Sequence, residues 1–263
     1  MMKISMCKYL IKSLFILIFI AGFSNFVMAK ESTYVSVSPS ITEIIYSIGA
    51  QDSLIGVSSR CNYPREAKSK PIIGDSYFLN KERIIKLHPD YIFTVEATEG
   101  TFNEFKYTDV KPLYFKMNSV EDIYSNIKFI GQMTSKEKQA EQLIKNIKAQ
   151  ISLNKTKNPK KILYIIQTNP MITVGSDSFI TDVIKKSGHN SVTQSVKGYY
   201  PSISVEYAIK SNPDYIVVCF DDDKKLKKLF PKSKIILLTN EQKDVINRPS
   251  PRVYQSVKFF SSL

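Results

Sequence analysis

The chain lacks tryptophan altogether, and its 263 residues include only two histidines and three cysteines. Beyond residue 29 the only cysteines are Cys61 and Cys219, in different halves of the chain, and no CxxC motif is present. Zinc or manganese sites need several histidine, cysteine or carboxylate ligands close together. We therefore expect no metal ligand and no resident cofactor. Cys219 falls in a predicted buried strand, which favours a free thiol, although an oxidising compartment leaves a disulfide open.

Motifs that mark common enzyme active sites are missing as well. The sequence contains no GxSxG, HExxH, P-loop or GxGxxG pattern. The histidines, His88 and His189, stand at predicted helix ends beside a proline or a glycine, where a structural role is expected. The run Asp221–Asp223 could hold a cation, but an acidic turn beside a lysine cluster is the simpler interpretation. We expect no catalytic residues, and a binding protein rather than an enzyme.

Acidic residues are in deficit, with 24 against 37 basic ones and a formal net charge of +13. A basic protein can bind nucleic acid or other polyanions. Here the lysines are scattered through helices and loops, so we expect no nucleic-acid partner. An anionic ligand stays open.

The N-terminus has the composition of a secretory signal. Lys3, Lys8 and Lys12 precede an apolar stretch, Leu14–Phe23, and small residues end at Ala29. The apolar stretch is shorter than the roughly 20 residues that a membrane-spanning helix needs. No cysteine follows it that could carry a lipid anchor. We expect cleavage after Ala29, removal of residues 1–29, and a protein that works in the periplasm as a monomer.

An eleven-residue pattern occurs twice, at Glu82–Ile92 and Glu206–Ile216, with seven identical positions. Asn80 and Ser204 precede the two copies and predict helix N-caps. A proline follows each short helix and ends it. The apolar runs that come next are typical of strands buried on both faces of a parallel sheet. Each copy therefore predicts a helix, a tight turn and a central strand.

A weaker repeat lies upstream of each copy, at Thr42–Gly49 and Thr181–Gly188, where a helix is predicted to end at the glycine. Ser40 and Glu43 form the pattern of a capping box. The same order of elements in both halves indicates a duplicated α/β lobe. We assign an N-terminal lobe to 30–118, a helical linker to 119–159 and a C-terminal lobe to 160–263. Ligands commonly bind at such interfaces.

Further elements follow from local patterns. Apolar spacing predicts helices at Val120–Gln132 and Lys136–Asn154. The second is long and mostly polar, which suits a single rigid connector between two Rossmann-like lobes. Lys224–Lys234 is interpreted as a basic loop, and Ser250-Pro251 as the start of the last helix.

Taken together, these residues resemble the periplasmic substrate-binding proteins of cobalamin and iron-siderophore ABC importers, most closely the members that bind cobalamin. The resemblance covers residues 33–263. Its matching stretches are Val37–Ser40 with Thr42-Glu43, Gly56–Ser58 with Tyr63-Pro64, Leu79–Arg83, Ser119–Ile123 and Asp244–Val253. It implies two lobes with mostly parallel sheets, joined by one long helix, and little hinge motion.

The resemblance also implies a partner. In this family a glutamate at the start of the repeated helix on each lobe docks on arginines of the permease dimer in the inner membrane. Those positions are Glu82 and Glu206 here. A carboxylate on an exposed helix can accept a charge-assisted, bidentate bond from arginine. Dipole complementarity at a helix N-terminus is the alternative reason for a glutamate there.

For the ligand, the resemblance implies loops between the lobes. The matching positions are Ser38, Pro39, Ser40, Tyr63, Tyr77, Phe78, Tyr199, Tyr200, Asp244 and Arg248. The tyrosines offer flat faces with a polar tip, suited to a large amphipathic ligand. Cobalamin binders place tryptophans in this cleft, and this chain has none. Cobalamin or a related corrinoid is thus the first expectation, with haem or a ferric siderophore as the alternative. An exported enzyme acting on a tetrapyrrole or metal chelate is the alternative of another class.

Overall fold

The computed structural model describes residues 32–75, 78–96, 100, 102–103, 105, 108–220 and 224–263. Residues 32–263 form one compact unit. The predicted signal segment, Tyr77 and the run Asp221–Asp223 lie outside the described residues. Within the described part of the chain, no helix combines the length and apolarity needed to cross a membrane.

The N-terminal lobe is built on a four-stranded parallel sheet in the order β2-β1-β3-β4. Its strands are β1 Tyr34–Ser36, β2 Leu54–Val57, β3 Tyr91–Val95 and β4 Lys111–Phe115, and its helices are α1 Pro39–Ser47 and α2 Lys81–Leu87. Short 3-10 helices lie at Gln51–Ser53 and Arg65–Ser69. Helix α2 packs on one face of the sheet through Ile84, which is fully buried. Helix α1 packs on the other face.

Two helices, α3 Val120–Met133 and α4 Glu137–Leu153, connect the lobes. Helix α3 contacts α1 of the first lobe and a helix of the second, whereas α4 packs on α3 and on the last helix of the chain. Buried side chains from both lobes and from both connecting helices form one apolar cluster. The lobes therefore share a core, which opposes large hinge motion.

The C-terminal lobe has five strands in the order β6-β5-β8-β9, with β7 also paired to β5. The strands are β5 Lys161–Thr168, β6 Met171–Thr173, β7 Asn190–Ser191, β8 Tyr215–Val218 and β9 Lys234–Leu237. Only β6 runs antiparallel to its neighbour among these pairs. The helices are α5 Phe179–Lys186, α6 Val205–Lys210, α7 Lys224–Leu229, α8 Asn240–Ile246 and α9 Val253–Ser261. The predicted class, two α/β lobes with mostly parallel sheets, is confirmed.

The repeated unit folds alike in both lobes. The Asn80 and Ser204 side chains accept hydrogen bonds from the amides of Arg83 and Tyr207, so both predicted N-caps are confirmed. Each unit also ties down the first strand of its own sheet. Asp90 Oδ2 accepts the Thr33 amide and Asp214 Oδ2 accepts the Lys161 amide, both at 2.7 Å.

Several local predictions are wrong. The capping box at Ser40 and Glu43 does not form, because α1 begins at Pro39 and the buried Glu43 carboxylate is ion-paired elsewhere. The predicted connecting helices at Val120–Gln132 and Lys136–Asn154 are not among these errors, since they are observed as α3 and α4. The predicted basic loop contains α7, whose Leu226 packs into the core. The last helix begins at Val253, since Ser250 starts a turn.

Candidate ligand-binding cleft

A cleft of about 690 Å³ lies between the lobes. Its lining residues are Ser38, Ser40, Val95, Glu96, Phe115, Met117, Asn118, Tyr199, Tyr200 and Pro249. The first-lobe members follow or end strands β1, β3 and β4, so this wall is the carboxyl edge of a parallel sheet. Ligands of α/β proteins bind outside that edge. The lining is mainly aromatic and aliphatic, with a few polar groups.

The wall from the second lobe is a loop that presents two adjacent tyrosines. Its backbone is held by the Gly175 amide, which donates to the Tyr199 carbonyl at 3.0 Å, and by the Asp177 carboxylate, which accepts the Gly198 amide at 3.1 Å. The tyrosine side chains themselves are left accessible, at 49% exposure for Tyr199 and 60% for Tyr200. A fixed loop carrying open aromatic faces is suited to a large flat ligand.

Tyr199 also marks the boundary of a second, more polar groove of about 610 Å³. The Asn118 amide group donates to the Tyr199 hydroxyl at 3.0 Å, and both residues line both spaces. The carboxylates of this groove have structural partners: Asp122 accepts the Asn118 amide and Asp182 accepts the Val120 amide. The carboxylates of the groove therefore serve to hold the start of α3. The apolar cleft is the better candidate for the ligand.

A buried ion-pair cluster joins the lobes. Glu43 of α1 is 1% exposed. Its carboxylate accepts from Arg252 Nε at 2.8 Å, Arg252 Nη2 at 2.6 Å and Arg248 Nη1 at 2.8 Å. Burial opposes the charge of Arg252, but the hydrogen bonds and charge of Glu43 outweigh it and raise the arginine's pKa. We call Glu43, Arg248 and Arg252 the inter-lobe cluster.

Asn62, Asp244 and Tyr63 surround the inter-lobe cluster. Asn62 accepts from Arg248 at 2.9 Å and donates to Asp244 at 3.0 Å. The Tyr63 ring lies 3.9 Å from the Arg252 guanidinium carbon, in a cation–π contact. Pro249, within the same segment, lines the cleft. The cluster thus fixes one end of the cleft to the first lobe.

The predicted site residues divide into groups. Ser38, Ser40, Tyr199 and Tyr200 line the cleft, and Pro39 lies between the two serines at the start of α1. Three residues make contacts between the lobes: Arg248 pairs with Glu43, Asp244 accepts a hydrogen bond from Asn62, and Tyr63, still 46% exposed, lies against Arg252. Phe78 ends a tight turn and is 81% exposed, away from the cleft lining. A ligand role for these residues stays a prediction.

Sequence reasoning missed several residues of the cleft and the cluster. They are Val95, Glu96, Phe115, Met117, Asn118, Pro249, Glu43 and Arg252. Glu43 had a visible signal, because it lies next to Ile44 and Ile45 on the apolar side of a predicted helix. A lone acid in such a place needs a buried partner.

Both cysteines and His189 have hydrogen-bond partners in the described part of the chain. Cys61 and Cys219 are both free thiols. Burial raises the pKa of the Cys61 thiol, which accepts a hydrogen bond from Thr42 at 3.1 Å. His189 is buried and bridges the Lys160 amide and the Phe260 carbonyl. Within the described ranges, no three His, Cys, Asp or Glu side chains gather as a metal site would require.

Comparisons with known proteins agree with this architecture. Residues 35–230 match the family described as periplasmic binding protein. A vitamin B12-binding protein of Vibrio parahaemolyticus is 27% identical over 89% of this chain and 90% of its own length. A Staphylococcus epidermidis structure, described as a possible iron-binding (periplasmic solute-binding) protein, has 29% identity and a TM-score of 0.77, covering 89% of this chain and 98% of that one.

A third similar protein is a periplasmic haem-binding protein of Vibrio cholerae. Its structure gives a TM-score of 0.75 at 18% identity, with coverage of 89% of this chain and 98% of that chain. At this identity the similarity establishes the fold alone. The match over residues 35–230 establishes the family, whose members bind solutes and are not enzymes. The chain therefore belongs to the periplasmic binding protein family.

Proposed function

We propose that this protein is the periplasmic receptor of an ABC importer that binds cobalamin or a related corrinoid between its lobes. The observation that carries the proposal is the inter-lobe cleft of about 690 Å³ with Tyr199 and Tyr200 open on one wall and Phe115 on the other. Pockets for small molecules and cofactors span roughly 300–1,000 Å³ and are mostly apolar with a few polar groups. A corrinoid offers a broad ring with amide side chains, which matches that lining.

The polar groups of the cleft support a neutral, amide-bearing ligand. Hydroxyls of Ser38 and Ser40, the amide of Asn118 and the tyrosine hydroxyls can exchange hydrogen bonds with amides. Glu96 is the one acid of the lining described above, and no lysine or arginine is among those lining residues. A di-anionic ligand would find no cation among these described lining residues. The vitamin B12-binding relative points the same way.

Haem or a ferric siderophore is the alternative ligand for the same kind of importer receptor. The specific observation in its favour is the set of exposed tyrosines at the cleft and its end, Tyr63, Tyr199 and Tyr200. A phenolate oxygen is a known ligand of haem iron. The chain also has no tryptophan to stack on a corrin ring.

We further propose that Glu82 and Glu206 dock the receptor on the permease dimer. Both side chains are exposed in the first turns of α2 and α6, and neither belongs to the cleft lining. One glutamate per lobe matches a partner that presents two equivalent subunits. Residues 1–29 would export the chain, which then acts in the periplasm as a monomer.

A calorimetric titration of the mature chain with cyanocobalamin, hemin and a ferric siderophore panel tests the ligand assignment. We expect one-to-one binding of cyanocobalamin with a Kd below about 10 µM, roughly −7 kcal/mol. Tyr200→Ala should weaken it about tenfold, whereas the matched Tyr207→Ala, on a helix that does not line the cleft, should not. Tight binding of hemin or a siderophore without any corrinoid binding would select the alternative.

A further inference from the structure

The two repeated helices carry an exposed isoleucine that neither the core nor the cleft uses. Ile85 on α2 and Ile209 on α6 are each 44% exposed. Each follows the proposed docking glutamate by three residues and precedes a lysine. Residues three and four apart share a helix face. We call Glu82, Ile85 and Lys86, with Glu206, Ile209 and Lys210, the two outward triplets.

The outward triplets are identical, whereas the buried inward position differs between the helices and the exposed Arg83 of α2 is replaced by Tyr207 on α6. Ile84 and Ala208 are both fully buried against their sheets, yet they are different residues. A duplicated helix kept only for folding would retain the side chain that packs on the sheet and would let the solvent side vary. Three identical exposed positions beside a buried position that differs indicate that the outward triplets are kept for contact with something else.

Charge alone is a weak basis for that contact. An ion pair in water contributes about 0–1 kcal/mol, because solvent screens it. Apolar neighbours that exclude water from the pair strengthen it and surround the most effective contacts of protein interfaces. An isoleucine one helical turn from the carboxylate is placed to do this.

We propose that Ile85 and Ile209 are apolar anchors of the docking surface, seated on the permease dimer beside Glu82 and Glu206. This inference rests on the proposed function, since it adds residues to the same surface. The occupant is a protein with two equivalent sites, each combining a cation for the glutamate with an apolar depression for the isoleucine. A single matched triplet on each lobe fits such a partner.

A photo-crosslinking experiment in the native host identifies the occupant. The photoreactive residue p-benzoylphenylalanine replaces Ile85, Ile209 or, as a control, Leu153, an apolar side chain of α4 that is 79% exposed. We expect mass spectrometry to find an ABC permease subunit joined to the chain at positions 85 and 209, and not at 153. Crosslinks to another protein, or none at either position, would overturn the inference.

The crosslinked permease, purified with its ATPase in nanodiscs, then allows affinity measurements with matched variants. Two double variants are compared: the Thr pair, Ile85→Thr/Ile209→Thr, and the Val pair, Ile85→Val/Ile209→Val. Thr and Val have the same shape, so the two variants differ only in that each Thr has a hydroxyl where each Val has a methyl group. We expect the Thr pair to weaken docking at least tenfold, about 1.4 kcal/mol, and the Val pair less than about threefold. Leu153→Thr should leave docking unchanged, and all variants should keep their melting temperature and ligand affinity.

A parallel Glu82→Ala/Glu206→Ala variant separates the two proposals. Loss of docking in the Ala pair with full docking in the Thr pair would remove the isoleucine anchors and leave the glutamates. Full docking in both pairs would remove the whole surface. We expect both pairs of substitutions to weaken docking. The docking that remains in the Ala pair should depend less on salt concentration than that of the wild-type chain.

Discussion

The substitution Glu43→Gln probes the inter-lobe cluster most sharply. The Glu43 carboxylate is 1% exposed and accepts three N–H groups from two arginines that belong to the other lobe. A glutamine presents an NH₂ group to one of those N–H donors and removes the charge that balances Arg248 and Arg252. Breaking a buried ion pair by removing one partner costs about 3–5 kcal/mol.

Urea unfolding of the mature chain measures this cost. We expect Glu43→Gln to lower the free energy of unfolding by about 3 kcal/mol and the melting temperature by about 5–10 °C. Glu121→Gln is the matched control, because its pair with Lys186 spans 3.1 Å but both side chains are solvent-accessible, at 65% and 34%. That change should cost less than about 1 kcal/mol. Equal effects of the two substitutions would refute the buried role of Glu43.

Three further predictions address other parts of the molecule. Tyr200→Ala should lower ligand affinity about tenfold in calorimetry, since it removes one aromatic face worth roughly 0.5–1.5 kcal/mol beyond its buried area. Burial lowers the pKa of His189 below its unfolded value, so the chain should lose stability as pH falls below about 6.5. Urea unfolding at pH 7.5 and 5.5 should show less of this loss in His189→Gln than in the wild-type chain. Glu82→Ala/Glu206→Ala should leave ligand affinity within about twofold while uptake by cells falls at least tenfold, and an equal loss of affinity would place these residues in the cleft or core.

The parts of the fold that could be predicted are those specified by neighbours in sequence. Asn80 and Ser204 cap helices through bonds to residues three positions away, so their role is visible in the local pattern. Gly49 and Gly188 end helices with φ of 72° and 93°, as the pattern of a closing glycine predicts. Helix α8 also had a local signal, the Thr239–Gln242 capping box, which the sequence interpretation did not use.

Helix α7 illustrates a different limit. Four of its six residues are lysine. The charge density suggested a loop, yet lysine is a good helix former and Leu226 with Phe230, four residues apart, supplies a buried face. Packing against the sheet, rather than composition, determined the outcome.

The site could be predicted only in part, because its key contacts join residues far apart in the chain. Ser38, Ser40 and the Tyr199–Tyr200 pair were found through a family resemblance. The partner of Glu43 lies 205 residues away at Arg248, and no local pattern specifies that pairing. Val95 and Phe115 end apolar strands, so their sequence pattern is that of core residues. Only the meeting of the two lobes assigns them to the cleft.

We propose that the ligand binds between the lobes in a cleft that is already formed. A crystal structure of the mature chain with bound cyanocobalamin tests it most directly. We expect ligand density between Tyr200 and Phe115, with the Glu43–Arg252 contacts kept. A ligand bound outside this cleft, or lobes separated with the Glu43–Arg252 contacts broken, would contradict it.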